Sequence, residues 1–155
     1  MTLNDRLRRM MDIQGFLDVE DTEIAHWVKF SNFVCFVGFT AGVYLQSPMI
    51  LYLMSLVAVL GLTFHNTPFD HFYNLAIAPV LGKPQLPERP APARFACFVG
   101  LVWSAFTASA FLVGWTGAGI VLGVLLVIAS GLQGIANYCV ASVLWRKIYG
   151  WPDRE

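Results

Sequence analysis

The sequence contains little charge. Only 13% of its 155 residues are Asp, Glu, Lys or Arg, and the 10 acidic residues balance the 10 basic ones. So few basic residues leave no surface suited to nucleic acid, and no phosphate-binding loop is present. The chain also lacks a CxxC pair and a Ser/His/Asp catalytic signature. These absences exclude a nucleic-acid partner and favour a protein that is not an enzyme.

Hydrophobic residues are abundant instead. They make up 57% of the chain, and the mean hydropathy is +0.61. Crossing the hydrocarbon core of a membrane takes roughly 20 apolar residues, and in lipid such a run must be helical because its backbone groups have to bond internally. Four runs qualify or nearly so: Phe30–Gln46, Pro48–Phe64, Phe95–Trp115 and Ala118–Trp145. The sequence predicts an all-α integral membrane protein with four transmembrane helices, arranged as two hairpins with a short interfacial amphipathic helix between them.

The charged residues predict the orientation. All Lys, Arg, Asp and Glu lie before the first run, between the second and third, or after the fourth. Basic residues favour the cytoplasmic side, so we expect both termini and the central connection there. The expected segments are a cytoplasmic N-terminal segment (1–25), hairpin 1 (26–64), an interfacial helix with a Pro-rich connector (65–94), hairpin 2 (95–147) and a cytoplasmic tail (148–155). In the first segment, residues 2–12 read as a surface helix attracted to anionic headgroups, with Leu3, Leu7, Met10 and Met11 on one face.

The fourth run carries a stripe of small and polar residues. As one helix, Ala118–Trp145 would extend about 42 Å and would have to tilt or protrude. Small residues allow close helix contact, and Gln or Asn facing lipid would be costly. The stripe should therefore face the other spans or a partner subunit. Its members are Gly119, Gly123, Ser130, Gln133, Gly134 and Asn137.

Two short segments resemble each other. FVCFVG (33–38) and FACFVG (95–100) each begin an odd-numbered span. A duplication of the hairpins would explain the match, and so would chance in a chain rich in Phe, Val and Gly. Some transporters contain parallel repeats of this kind, so the match leaves transport of a small neutral solute as a further hypothesis.

The segment from Phe64 to Pro79 holds the start of a helix. Thr67 can cap it, Pro68 suits its first position, and Asp70 can bond back to the cap. The helical spacing predicts one apolar face, with Asp70, His71 and Asn74 opposite it, and Pro79 should end the helix. The apolar face comprises Phe69, Phe72, Tyr73, Ala76, Ile77 and Val80.

The three histidines, His26, His65 and His71, are all predicted at the cytoplasmic face. They are candidate ligands for a haem, pigment or lipid, although the six-residue spacing of His65 and His71 does not suit a pair on one helix. Hydrogen bonding and helix capping at the interface explain them better. We expect no metal site, and the sequence names no cofactor.

The three cysteines, Cys35, Cys97 and Cys139, lie in three different spans, and their similar predicted depth would allow them to meet. An odd count on the cytoplasmic side argues against structural disulfides. Buried cysteines usually act as small hydrophobic residues. The alternative is thiol redox chemistry with a thioredoxin-like or quinone partner.

Several short motifs of this chain resemble an uncharacterised membrane family, domain of unknown function 4395. The matching residues are Pro68-Phe69-Asp70, Tyr73, Pro79, Leu81-Gly82, Pro84 and Arg94-Phe95-Ala96. The resemblance implies a compact domain of the bacterial inner membrane and no established activity. The family pattern includes a cysteine pair near the end of the last span. Here Cys139 is present, but Ser142 stands at the second position, which counts against a dithiol function there.

The function expected from these observations is that of a small polytopic, non-catalytic accessory or assembly subunit. Its partners would be the lipid bilayer and other membrane subunits or a second copy of itself. The alternatives are a thiol-redox protein, which would use the cysteines, and a haem-, pigment- or lipid-binding subunit, which would use the histidines.

Overall fold

The computed structural model describes residues 3–16 and 22–150. Residues 17–21, Met1 and Thr2, and the tail beyond Gly150 lie outside it. The described residues are helical and contain no strand. The helices are α1 (Leu3–Gln14), α2 (Thr22–Tyr44), α3 (Pro48–Thr63), α4 (Pro68–Phe72), a π-helical turn (Tyr73–Ile77), α5 (Ala78–Leu81), α6 (Ala91–Leu112), α7 (Thr116–Gly134) and α8 (Val140–Tyr149). The predicted all-α class is confirmed.

The four long helices pack in a ring. Helix α2 contacts α3 and α7, and α6 contacts the same two helices. The most extensive contacts, α3 with α6 and α2 with α7, join helices from different predicted hairpins. The middle of the ring holds Phe39, Leu51, Ala108 and Leu126, all buried. Because each helix packs against two others, residues from all four converge on the bundle axis.

Two described helices, α6 and α7, are long and apolar enough to cross a membrane. A third qualifies only if α3 and the segment Pro68–Leu81, which is bent from it by 66°, are counted as one span. The expectation of four such helices is therefore not met. Helix α2 opens with polar residues, including Lys29, Ser31 and Asn32, and α3 has only 16 residues.

The predicted fourth run is broken. Helix α7 ends at Gly134 and α8 begins at Val140, so the expectation of one long tilted helix is wrong. Asn137 lies in the break with a left-handed backbone (φ 58°), a conformation that Asn tolerates better than most residues. The Tyr138 N–H donates to the carbonyl of Leu132 and closes the turn.

Helix α1 does not present its apolar face to a membrane surface. Leu7, Met10 and Met11 are buried in a second core cluster at one end of the ring. Arg146 of α8 donates from Nη2 to the carbonyl of Asp12, in the last turn of α1. The protein itself covers these side chains, so they are not available to a membrane surface. The expected attraction of this helix to anionic headgroups stays a prediction.

The segment that follows α3 starts as predicted and continues differently. Thr67 Oγ1 accepts from the Asp70 N–H and Asp70 Oδ2 accepts from the Thr67 N–H, so the capping box is confirmed. Pro79 does not end the helix. The turn before it widens, with the Ala78 N–H bonded to the Tyr73 carbonyl, and this accommodates a residue without an N–H. The helix ends instead at Gly82, which is left-handed (φ 62°).

One residue of the predicted polar face of this segment is buried within the protein. Phe72 and Val80 of the predicted apolar face are 61% and 82% exposed, whereas Asp70, predicted opposite them, is 3% exposed. Asp70 is buried because it pairs with Arg89 of the connector. The connector that follows was expected to be extended up to Arg94, but α6 already begins at Ala91.

Candidate functional site

A buried ion pair lies at the α1 end of the ring. Arg89 donates from Nε to Oδ2 of Asp70 over 2.7 Å, and the two side chains are 5% and 4% exposed. Its Nη2 donates to the Ser31 hydroxyl of α2 over 3.1 Å. The Arg89 backbone N–H donates to the His65 carbonyl over 2.8 Å, which fixes the connector against the bend after α3. The pair thus joins three separate parts of the chain.

Asp70 and Arg89 hold each other in their charged forms. Burial alone would raise the pKa of Asp70, but the charge and hydrogen bond of Arg89, with further bonds from Thr67, hold that pKa below its ordinary value. Burial would likewise lower the pKa of Arg89, but the carboxylate of Asp70 raises it on balance. Paired in this way, a buried charge avoids the large cost of isolation.

A small pocket lies beside the ion pair, with a volume of about 60 Å³. A cavity needs roughly 10–15 Å³ of this kind of volume for one water molecule, so the pocket has room for about four water-sized groups. Every long helix and α1 contribute to its wall. The polar and sulfur-containing residues that line it are Gln14, Asn32, Cys35, Met54, Thr67, Arg89, Cys97 and Gln133.

Two amides on this pocket lack partners within the protein. Gln14, at the end of α1, is 1% exposed, and neither its amide oxygen nor its amide nitrogen has a hydrogen-bond partner. Asn32 is 4% exposed, and its Nδ2 has none, although its Oδ1 accepts from Gln133 Nε2 over 3.1 Å. An unsatisfied buried polar group costs about 1–3 kcal/mol. Ordered water or a bound polar molecule in the pocket would remove this cost.

Two of the three cysteines line the pocket. Cys35 comes from α2 and Cys97 from α6, helices that are not neighbours in the ring. Cys97 lies within electrostatic reach of the charges of Arg89, Arg94 and Asp70. The resembling segments 33–38 and 95–100 therefore approach the pocket from different sides. All three thiols are free.

Cys139 does not line the pocket, although it lies within electrostatic reach of Cys97. It is buried at the start of α8, where the Ser142 hydroxyl lies 3.1 Å from its sulfur and 3.1 Å from the carbonyl of Pro92. Ser142, at the position where the family resemblance implies a second cysteine, thus hydrogen-bonds Cys139. At this place the chain has a thiol and a hydroxyl in contact, and no dithiol.

The histidines are kept apart from the pocket. His26 is exposed, and His65 and His71 are half-buried at the bend after α3. His71 meets the ring of Phe64 edge-on at 6.2 Å, and His65 has a left-handed backbone (φ 61°). Among residues 3–16 and 22–150, no group of three or more His, Cys, Asp or Glu side chains is arranged to hold a metal ion.

The small and polar stripe of α7 lies against other helices of the same chain. Gly119 packs on the ring of Phe111, and Gly123 on the side chain of Val43. Gly134 lies against the backbone of α2, where an added Cβ would sit 3.2 Å from the Phe33 Cα. Gln133 reaches the pocket and Asn137 lies in the break, while Ser130 donates to the carbonyl of Val127 in its own helix.

Sequence reasoning missed Gln14, Asn32 and Arg89. Gln14 had a usable signal, since it follows Leu7, Met10 and Met11 at helical spacing and is thus a polar residue on an apolar face. Asn32 also stood out as a polar residue near the edge of an apolar run. Arg89 had no such signal, because an arginine in a Pro-rich run normally reads as exposed to solvent.

The fold and pocket define an all-α protein in which at least two helices are long and apolar enough to cross a membrane. The chain belongs to the family described as Domain of unknown function (DUF4395), whose model matches residues 25–149. The resemblance noted from the sequence is thereby confirmed. Comparison with curated proteins found no match, and comparison with solved structures found none either.

Proposed function

We propose that this chain is a multi-pass membrane protein that binds a small polar molecule in the pocket beside Arg89 and catalyses no reaction. The observation that carries the proposal is Gln14. A fully buried amide without any partner is costly, and here it lies on a pocket with room for about four water-sized groups. A bound polar molecule would satisfy it.

The proposed topology has four passes, by α2, α3, α6 and α7. Its support is the ring itself: α2 and α3 pack along α6 and α7, so a membrane around the last two would also surround the first two. Large apolar side chains point outward from all four helices, among them Val37, Leu56, Phe106 and Ile128. The segment Pro68–Leu81 would then lie along the cytoplasmic surface, together with both termini and the connector. The host would be a bacterial inner membrane.

Labelling of single cysteines tests the topology. In a variant without native cysteines, Gln85→Cys in the connector and Gln46→Cys in the short α2–α3 loop are matched, since both residues are exposed. In intact cells a membrane-impermeant maleimide should label position 46 and leave position 85 unlabelled until the membrane is opened. Labelling of both or neither in intact cells, or the reverse pattern, would contradict the four-pass arrangement.

Thermal unfolding of the purified protein tests the binding function. Neutral and anionic solutes of about four heavy atoms (urea, acetamide, nitrate and bicarbonate) are added in turn. At least one should raise the melting temperature of the wild type but not that of Gln14→Met, which keeps the side-chain length and removes the amide. The exposed Gln85→Met is the matched control and should respond as the wild type does. If no solute raises the melting temperature of the wild type without raising that of Gln14→Met, the proposal is contradicted.

A thiol-redox function is the second candidate, favoured by the shared position of Cys35 and Cys97 on one pocket. Their oxidation to a disulfide would release two protons and two electrons, which would convert a quinone to a quinol or a partner disulfide to a dithiol. Alkylation under native conditions, before and after oxidant, tests it. If the two thiols stay unreactive and never pair, this function is excluded.

The accessory-subunit hypothesis receives no comparable support. Its sequence arguments were the uncharged spans, the short loops and the small and polar stripe, and most of that stripe packs within this chain. A partner would therefore have to use another surface. Co-purification after mild detergent extraction decides the matter, because a stoichiometric partner would restore the hypothesis and a lone monomer would end it. None of the three histidines lines the pocket, so they do not support haem or pigment binding there.

A further inference from the structure

We infer that the molecule bound beside Arg89 is a small monovalent oxyanion. This inference rests on the proposed binding function and specifies its ligand. The observation behind it is that unpartnered hydrogen-bond donors and a guanidinium line the same pocket. The volume of that pocket fits a planar anion of about four heavy atoms.

The donors are counted first. The amide nitrogens of Gln14 and Asn32 are both unpartnered, and both residues line the pocket. The acceptor of Asn32 is already occupied by Gln133, so Asn32 offers the pocket only its N–H groups. Arg89, which also lines the pocket, carries donors and no acceptor, although its Nε and Nη2 already donate to Asp70 and Ser31. A ligand here must therefore be chiefly an acceptor.

The charges point the same way. Arg89 is the charged side chain that lines the pocket. Its partner Asp70 does not line the pocket, and the Oδ2 of Asp70 is taken up by Arg89 and Thr67 while its Oδ1 has no partner among the described residues. A ligand in the pocket would therefore face one guanidinium, which one negative charge would complement. Donors held in place around a site favour an anion over a neutral molecule of the same shape, because hydrogen bonds to a charged acceptor are stronger.

Gln14 refines the class further. Its amide oxygen is as unpartnered as its nitrogen, so the ligand is expected to carry one O–H group besides its acceptor oxygens. A hydrogen-bearing oxyanion of the bicarbonate type has both. Nitrate has the same planar shape and charge but no hydroxyl, and urea has the same shape without the charge. These three molecules separate the contributions of shape, charge and hydroxyl.

The test is titration calorimetry of the full-length protein in detergent with sodium bicarbonate, sodium nitrate and urea. Sodium gluconate, whose anion is too large for the pocket, holds the ionic strength constant. Both anions should bind, bicarbonate more tightly than nitrate, and urea about tenfold more weakly or worse. Gln14→Met should weaken bicarbonate binding by about tenfold or more, as the loss of a hydrogen bond to a charged group implies. Gln85→Met should leave it unchanged.

The contradicting results are distinct. Urea binding as tightly as the anions would overturn the oxyanion inference and leave the binding function intact. If no probe binds, the binding function and the oxyanion inference are both overturned. If anions bind equally well to Gln14→Met, they bind elsewhere on the protein, and the binding function and the oxyanion inference are again both overturned. Nitrate equal to bicarbonate would remove the hydroxyl refinement alone.

Discussion

Arg89 lies in the Pro-rich connector and Asp70 in the helix after α3, yet their side chains meet at 2.7 Å with almost no exposure to solvent. The two residues are 19 positions apart in the sequence, and the segments that carry them both read as exposed to solvent. Their contact makes the connector a structural element, because it anchors the wall of the pocket to α2 through Ser31.

Breaking this pair should be costly. Asp70→Asn leaves the Arg89 charge buried and unpaired, so the free energy of unfolding should fall by about 3–5 kcal/mol. Arg89→Met should do the same to Asp70, and the double variant Asp70→Leu/Arg89→Met should be less destabilised than the sum of its parts. Glu88→Gln is the control at an exposed neighbour, with an expected change within about 0.5 kcal/mol. Unfolding in mixed micelles measures these changes, and additive losses would argue against a coupled pair.

The pair also predicts a pH dependence. Because the pKa of Asp70 is lower in the folded protein than its ordinary value of 3.8, its contribution to stability is complete above that value. The contribution is lost as the pH falls below 3.8 and through the lower pKa of the folded state. Melting temperatures between about pH 6 and pH 2 should therefore fall more steeply for the wild type than for Asp70→Asn. Parallel curves would mean that the pKa of Asp70 is not lowered by folding.

Close helix packing at Gly134 gives a third prediction. A Cβ there would lie 3.2 Å from the Cα of Phe33, and backbone cannot move aside as a side-chain end can. Gly134→Ala should destabilise the protein by about 1–3 kcal/mol. Gly117, in the first turn of α7, has nothing within 4 Å of an added Cβ, so Gly117→Ala should be neutral or stabilising by up to about 1 kcal/mol. Equal effects of the two changes on unfolding would contradict this packing.

Gly15 allows the end of α1 to pack closely against the connector beside the pocket. Its backbone is left-handed (φ 94°), and an added Cβ would lie 2.9 Å from the Cβ of Pro90. Gly15→Ala should therefore separate α1 from the connector, which hydrogen exchange would detect as lost protection in residues 3–14. Gly82 is also left-handed but has open space around it, so Gly82→Ala carries the backbone strain alone, about 1–2 kcal/mol. The same exchange pattern in both variants would show that the contact with Pro90 is unimportant.

The sequence predicted local features well. The helical class, the capping box at Thr67 and the helix at the N-terminus all follow from short-range patterns, and such patterns carry their own physical cause. The sequence predicted the structure less well where contacts between residues distant in the chain determine it. Asp70 reads as a polar residue on a solvated face, and only the return of Arg89 from 19 positions further on makes its burial possible.

The break after Gly134 was missed for a related reason. Residues 135–139, IANYC, contain no proline or glycine, so hydropathy alone continues the helix. What ends it is the position of α8, whose Arg146 reaches α1 and whose Ser142 reaches Pro92. Those contacts are made across the whole chain, and no local pattern contains them. The pocket could not be predicted either, because it combines single residues from five helices and the connector.

The contact between Arg146 and the Asp12 carbonyl spans 134 positions and holds the helix that carries Gln14. During synthesis α1 is made before α8, so the arginine that secures α1 emerges 134 positions after the carbonyl that it contacts. The wall of the pocket is therefore completed only once α8 has been made. A chain truncated before α8 would lack this contact with the helix that carries Gln14.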